Sequence, residues 1–151
     1  MPMNIKKELQ NALSVAIKAK DEVSKRTIRL ALSSIKLAEV EAGDEIDKPR
    51  TLAILQKEVK TREDSIIEAK TAHREDLIRK AEAEIKILNR FLPQQMNTDE
   101  LITLAKEIIH ETGASSMSDM GKIIKIMIPR IAGRASGQDV SKVVRELLQN
   151  K

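Results

Sequence analysis

Apolar residues recur every three or four positions along most of this chain, which is the spacing of one face of an α-helix. In the first part of the chain this pattern predicts four amphipathic helices. Gly43 is placed to close the second of them in a left-handed conformation, and Pro49 is tolerated at the first turn of the third. The predicted helices run from about Asn4 to Lys20, Ser24 to Ala42, Arg50 to Lys70 and Arg74 to Phe91.

The segment Leu92–Gln95 breaks the helical pattern, because a proline blocks helix continuation and biases the residue before it toward extended geometry. We place a domain boundary there. The sequence thus predicts an N-terminal helical bundle over residues 1–93 and a C-terminal three-helix domain over residues 94–151.

Three shorter helices are predicted after the boundary. Asn97 followed by Glu100 has the spacing of a capping box that opens a fifth helix, and Gly113 ends it. Ser116 or Ser118 caps a sixth helix, which Pro129 should kink or end. Ser136 caps the last helix. No segment alternates with period two, so the predicted fold class is all-α: a bundle of about four helices followed by a small three-helix tail.

The composition of the chain excludes several kinds of chemistry. The chain has no cysteine, which excludes disulfides, thiol catalysis and cysteine-bound zinc. It has neither Trp nor Tyr, and Phe91 is its only aromatic residue, so stacking platforms for unpaired bases are absent. A nucleic acid would therefore be recognised through its backbone and shape.

The apolar runs, such as Ile126–Ile128, are far shorter than the roughly 20 residues that cross a bilayer. No membrane partner is expected. The N-terminal segment Met1–Glu8 has no apolar core and no cleavage site of a secretory signal, so the expected location is the cytosol.

Charge is distributed unevenly over the chain. The net charge is +4, and residues 113–151 hold 7 Lys and Arg against 3 Asp and Glu, whereas the middle of the chain is acidic. Such asymmetry suggests a partner that is oriented electrostatically. On the second helix, Lys25, Arg29 and Lys36 share one side, which is either a solvated face or a binding face.

Catalytic and metal-binding patterns are weak. His73 and His110 lack the paired spacing of a metal site and fit surface or capping positions. Gly121 and Lys122 lack the upstream glycine, the Ser or Thr and the strand of a phosphate-binding loop. Ser115 and Ser116 precede a helix, where capping explains them better than nucleophilic catalysis. We therefore predict no catalytic residue, no metal ligand and no cofactor.

The candidate functional residues are basic residues of the tail. In a helix-turn-helix arrangement they could converge on one face and contact phosphates, and the alternative is a charged face that keeps the protein soluble. The candidates are Lys122, Lys125, Arg130, Arg134, Lys142 and Arg145.

A set of short motifs spans nearly the whole chain: Lys60–Ile66, Arg74–Leu77, Phe91–Gln95, Thr112–Ala114, Ser118–Lys122 and Gly133–Ala135. These motifs resemble those of the YqeY family, whose C-terminal part is similar to the tail domain of GatB, a subunit of the tRNA-dependent amidotransferase. After the last motif the family pattern has Asp, Gly and a basic residue, where this chain has Ser136, Gly137 and Gln138.

The resemblance implies a helical bundle joined to a tail that contacts tRNA, while glutamine hydrolysis and amide transfer occur on other parts of the amidotransferase. The leading hypothesis is a tRNA-binding or tRNA-associated accessory protein without an active site of its own. The alternative is a protein–protein adaptor that docks a component of the aminoacylation machinery. An amidotransferase-type enzyme, a carbon–nitrogen ligase with glutamine as amide donor, is a third hypothesis.

Overall fold

A computed structural model describes residues 4–150 of the chain. Met1–Met3, which begin the segment Met1–Glu8 that was considered above for a secretory signal, lie outside the described residues. The described part contains seven α-helices, one 3₁₀ turn and no strand, so the prediction of an all-α fold is confirmed. The chain divides into two compact units, Met1–Pro93 and Gln94–Lys151. No helix in the described part is both long enough and apolar enough to cross a membrane.

The first unit consists of four helices: α1 (Ile5–Lys18), α2 (Glu22–Ala42), α3 (Lys48–Thr71) and α4 (Glu75–Asn89). Three of them begin with a side-chain cap, because a carboxylate or amide oxygen accepts a hydrogen bond from an otherwise unpaired backbone N–H. The caps are Asn4, Asp21 and Asp47, and Pro49 lies in the first turn of α3 as predicted.

Helix α1 packs on α2, and α3 packs on α4, while α2 also contacts both α3 and α4. Most residues of the predicted apolar stripes face inward, and most of the buried apolar residues form one hydrophobic cluster, whereas Ile17, Ile67 and Leu77 are exposed. Removal of this apolar surface from water is the main force that holds the four helices together. The most deeply buried large side chains of the cluster are those of Leu9, Ile35, Leu55 and Leu88.

Three helices of the first unit end at a residue in the left-handed conformation. Gly43 follows α2 with φ 75°, as its position predicted. Lys20 and His73 adopt the same conformation after α1 and α3, with φ of 57° and 56°. Each donates its backbone N–H to a carbonyl of the last helical turn, at Ile17 and Lys70. His73 is therefore a residue that ends a helix, one of the two roles that the sequence favoured.

The second unit contains α5 (Thr98–Thr112), a 3₁₀ turn (Met117–Asp119), α6 (Met120–Ile131) and α7 (Gly137–Gln149). Asn97 caps α5 and Ser136 caps α7, both through their side-chain oxygens, and Gly113 ends α5 with φ 69°. All three helices contact one another around a second hydrophobic cluster, whose fully buried residues include Ile108, Ile123, Met127, Val140 and Val144.

Helix α6 continues past Pro129, which the sequence predicted would kink or end it. The helix runs two residues further, to Ile131, and then ends at Ala132 with φ 51°. A proline removes one backbone hydrogen bond and crowds the carbonyl four residues earlier, which a helix tolerates most easily near its end. Gly133 follows with φ 82°, so two successive residues are left-handed in this turn.

Candidate nucleic-acid interface

The start of α6 is built from a short polar segment. The Asp119 carboxylate accepts hydrogen bonds from the backbone N–H groups of Ser115 and Ser116, at 3.0 and 3.3 Å. These bonds, from Ser115 first and then Ser116, together with the nearby Lys122 cation, lower the pKa of Asp119 below its ordinary value. The two serines precede the 3₁₀ turn, where Ser116 and Asp119 form a capping box. Helix α6 itself begins after Asp119, and not after Ser116 or Ser118 as predicted.

Lys122 and Lys125 lie on the outer face of α6. Both side chains are exposed, and they stand three residues apart, which puts them on one side of the helix. The opposite side of α6 buries Ile123, Met127 and Ile131 in the tail core. Because the core fixes the rotation of the helix, the two lysines are held toward solvent.

Lys142 and Arg145 repeat this arrangement on α7. They are exposed and three residues apart, while Val140, Val144 and Leu148 face the core. Helices α6 and α7 pack on each other. Within residues 4–150 none of the four cations Lys122, Lys125, Lys142 and Arg145 makes an ion pair or a side-chain hydrogen bond.

Arg130, one of the other two predicted contacts, pairs with Glu111 at the end of α5. Its Nη2 lies 3.1 Å from Glu111 Oε2, and both side chains are about half exposed. An exposed pair of this kind contributes little to stability.

Arg134 is held more firmly. Its Nε donates to the carbonyl oxygen of Gln94 at 2.8 Å, and its Nη2 lies 3.4 Å from Glu100 Oε2. The backbone carbonyl of Arg134 also accepts a hydrogen bond from the Met96 N–H at 2.7 Å. Arg134 therefore ties the first residues of the tail unit to the turn between α6 and α7. Asn97 caps α5 as predicted, because its side chain accepts from the Glu100 N–H at 2.8 Å. The Glu100 carboxylate contacts Arg134 instead of completing the predicted capping box.

The sequence did not predict a buried ion network in the first unit. Arg62 on α3 is only 8% exposed, and its guanidinium donates to Glu84 on α4 at 2.6 Å and to Glu58 at 2.8 Å. Arg26 on α2 reaches the other oxygen of Glu84 at 3.2 Å. The signal for this network was present, because Arg62 and Glu84 occupy positions within the apolar stripes of their helices.

Burial acts to lower the pKa of Arg62, but its hydrogen bonds to Glu58 and Glu84 outweigh burial and raise the pKa above the ordinary arginine value. The arginine stays charged and its buried polar atoms are satisfied. Such a paired network links helices and offers no free acid or base for catalysis.

Metal binding finds no support in the part of the chain that the structure describes. No group of three or more His, Asp or Glu side chains could hold an ion there. His73 ends α3, and His110 lies in the last turn of α5. The two histidines are thus at helix ends, in separate units.

The fold and the candidate interface define a class of all-α proteins in which a four-helix unit precedes a three-helix tail with exposed cations. The profile of a family described as "Yqey-like protein" matches residues 6–148. The chain belongs to the YqeY family, as its motifs indicated.

Curated relatives of this chain share the printed name "Altered inheritance of mitochondria protein 41, mitochondrial". The relative from Vanderwaltozyma polyspora is 32% identical over 78% of this chain, and the one from Lachancea thermotolerans is 38% identical over 60%. The relative from Pyrenophora tritici-repentis is 29% identical over 95% of this chain. The matched regions span 65%, 47% and 80% of these three proteins.

These names correct one prediction. We expected a cytosolic location from the N-terminal segment, and that prediction is wrong by this finding, because the relatives are mitochondrial proteins by name. The reason is that the lack of a secretory signal does not distinguish a cytosolic protein from one located in an organelle.

Proposed function

We propose that this chain is a tRNA-binding or tRNA-associated accessory protein that contacts the nucleic acid through the outer faces of α6 and α7. The observation that carries the proposal is the set of four exposed cations Lys122, Lys125, Lys142 and Arg145, which make no ion pair in residues 4–150. The similarity of the tail to the tRNA-contacting tail domain of GatB supports the same assignment.

Free cations of this kind suit phosphate groups. Each lysine or arginine that neutralises a phosphate releases a condensed counterion, and the gain in free energy falls as salt rises. Residues three apart on a helix have Cβ atoms about 5–6 Å from each other, so their long side chains can reach neighbouring phosphates of one strand. The lack of tyrosine and tryptophan also favours recognition of the backbone over stacking on bases.

The proposed binding involves no chemistry on the tRNA. The tail presents exposed lysine and arginine side chains, and the serines near α6 lie at the entry to a helix. The activity proposed for the chain is therefore to bind or position tRNA, while a separate protein acts on it.

The test is fluorescence anisotropy of a labelled tRNA titrated with the full chain at several salt concentrations. Affinity should fall steeply between about 50 mM and about 200 mM salt. Changing all four cations to Gln should reduce the slope of log affinity against log salt by about 3–4, since each phosphate contact contributes about 0.7–0.9.

A matched control removes the same charge from the first unit, with Lys57, Lys70, Lys80 and Lys86 changed to Gln. These lysines are exposed and lie on α3 and α4. The control should retain the salt dependence of the unchanged protein. The proposal fails if no tRNA binds at low salt, or if both quadruple variants lose affinity equally.

A further inference from the structure

Helix α2 carries an exposed apolar stripe along the side that faces away from its core contacts. Val23, Leu30 and Leu37 are 41%, 49% and 60% exposed, and Val40 is 70% exposed. The first three are seven residues apart, so each is rotated by only about 20° from the one before it. Val40 follows Leu37 by three residues and adds the next turn.

This stripe has the spacing of a helix-packing seam. Val23, Leu30 and Leu37 occupy equivalent positions of successive heptads, and Val40 lies three residues after Leu37, at the second seam position of its heptad. The same position in the two earlier heptads is polar, with Arg26, which pairs with Glu84, and Ser33. The opposite side of α2 buries Thr27, Ile28, Ala31 and Ile35 within the first unit. Helix α2 is therefore apolar on two sides, and the fold of its own unit uses one of them.

One flank of the stripe begins with Glu22, which pairs with Lys25 at 3.6 Å, and continues with two cations. Arg29 and Lys36 are exposed, seven residues apart, and make no ion pair among the described residues. Each directly precedes a leucine of the stripe, Leu30 or Leu37. Flanking positions of this kind select the partner of a helix through the sign of the charges that face them.

We propose that the exposed face of α2 docks an amphipathic helix of a partner protein that carries acidic residues beside its own apolar seam. The seam from Val23 to Val40 is about 26 Å long and matches a partner helix of about 18 residues. Glu or Asp side chains spaced seven residues apart on that helix would meet Arg29 and Lys36.

A second copy of this chain fits the face less well. If two α2 helices paired in opposite directions, the same flanks would meet, and Glu22 of the other copy could pair with Arg29 or with Lys36 but not with both. If the two α2 helices paired in the same direction, Arg29 would face Ser34 of the other copy, whose hydroxyl already donates to Glu58 at 2.9 Å. Only Lys36 would then meet an acid, Glu41 of the other copy. An acidic partner helix satisfies both cations at once.

The probe for this proposal is a fluorescein-labelled helical peptide of about 18 residues. It carries Leu at the two seam positions of each heptad and Glu at the flanking positions, and a twin peptide carries Lys in place of Glu. Titration of each peptide with the full chain is followed by anisotropy. We expect the acidic peptide to bind at least about tenfold more tightly than the basic twin.

Two variants test the face. Leu30→Ser with Leu37→Ser should weaken binding of the acidic peptide by at least about tenfold. Arg29→Gln with Lys36→Gln should remove most of the preference for the acidic peptide over the basic one. The controls are Ile67→Ser, which changes an apolar residue of α3 that is 64% exposed, and Lys57→Gln with Lys70→Gln. Both controls should bind as the unchanged protein does, and far-UV circular dichroism verifies that each variant is folded.

Other occupants of the face give different results. Equal binding of the two peptides, or no loss in the double leucine variant, overturns the proposal. A dimer of the chain in sedimentation experiments would also overturn the proposal if the double leucine variant were a monomer, because a second copy would then cover the stripe. Binding to vesicles that contain anionic phospholipid, without binding to the acidic peptide, would overturn it in favour of a membrane surface. The tRNA proposal stands or falls separately, because it concerns the tail unit.

Discussion

Arg62 on α3 and Glu84 on α4 form the shortest ion pair of the first unit, with Arg62 Nε donating to Glu84 Oε2 at 2.6 Å. Both residues are buried, and each also has a second charged partner, Glu58 for Arg62 and Arg26 for Glu84. The network thereby joins side chains of α2, α3 and α4. A buried charge that loses its partner is costly, so removal of one member should cost far more stability than the intact network contributes in net terms.

Removing one member of the network should destabilise the protein strongly. Glu84→Ala leaves the Arg62 guanidinium buried with Glu58 alone, and we expect a loss of about 2–4 kcal/mol in the free energy of unfolding. Chemical denaturation followed by far-UV circular dichroism measures this loss. The control is Glu82→Ala, an exposed residue of the same helix, for which the change should stay within about 0.5 kcal/mol. A loss as small as that of the control would show that the pair is not needed.

Replacement of either left-handed residue, Lys20 or His73, with glycine should increase the stability of the first unit. A side chain with a Cβ is disfavoured at positive φ, whereas glycine adopts this conformation readily. We expect Lys20→Gly and His73→Gly each to stabilise the first unit by about 0.5–1 kcal/mol, measured as an increase in the midpoint of thermal unfolding. Glycine at Ala19 or Ala72, the right-handed residues just before them, is the matched control and should not stabilise. Equal effects at both pairs of positions would contradict the prediction.

Asp119 should make the stability of the tail unit depend on pH. Its folded-state pKa is lower than the ordinary value of 3.8, chiefly because of the Ser115 and Ser116 N–H groups. The carboxylate therefore stabilises the fold above pH 3.8, and this contribution is lost as the pH falls through the lower, folded-state pKa. Asp119→Asn should lower the unfolding midpoint at neutral pH, and the difference from the unchanged protein should shrink toward strongly acidic pH.

Thermal unfolding over this pH range, followed by far-UV circular dichroism, measures the effect of Asp119→Asn. Asp139→Asn on α7 is the control, since it changes an exposed aspartate in the first turn of a neighbouring helix. A difference between Asp119→Asn and the unchanged protein that stays constant down to the lowest pH would rule out the carboxylate as its source.

Variants of Arg134 and Lys122 should show that the stability of the tail unit and the binding of tRNA depend on different residues. Arg134→Gln removes the hydrogen bond to the Gln94 carbonyl and the contact with Glu100, so the unfolding midpoint of the tail should fall. Lys122→Gln removes an exposed charge that acts on the fold only through the nearby Asp119 carboxylate, so it should change the midpoint much less than Arg134→Gln does and weaken tRNA binding. Parallel thermal unfolding and tRNA anisotropy experiments compare the two. If Arg134→Gln leaves the midpoint where it was, the tie between the ends of the tail unit is not structural.

The sequence by itself determined the helical character of the chain, because helix periodicity follows from residue spacing that needs no partner. It also located helix ends at Gly43 and Gly113, since glycine is the residue that adopts positive φ without strain. Asn97 and Ser136 could be predicted as caps because their side chains satisfy N–H groups only three residues away.

Only the tertiary structure decided which polar residues are buried. Arg62 and Glu84 are 22 residues apart in the chain, and nothing local shows that their side chains meet when α3 packs on α4. The same holds for Arg134, whose sequence neighbours made it look like a free cation until the fold placed the Gln94 carbonyl and Glu100 beside it. Lys20 and His73 end helices against their intrinsic preference, because the packing of the helices on either side fixes the turn. Local spacing thus sets which segments become helices, and contacts between distant segments set which charges remain free to bind.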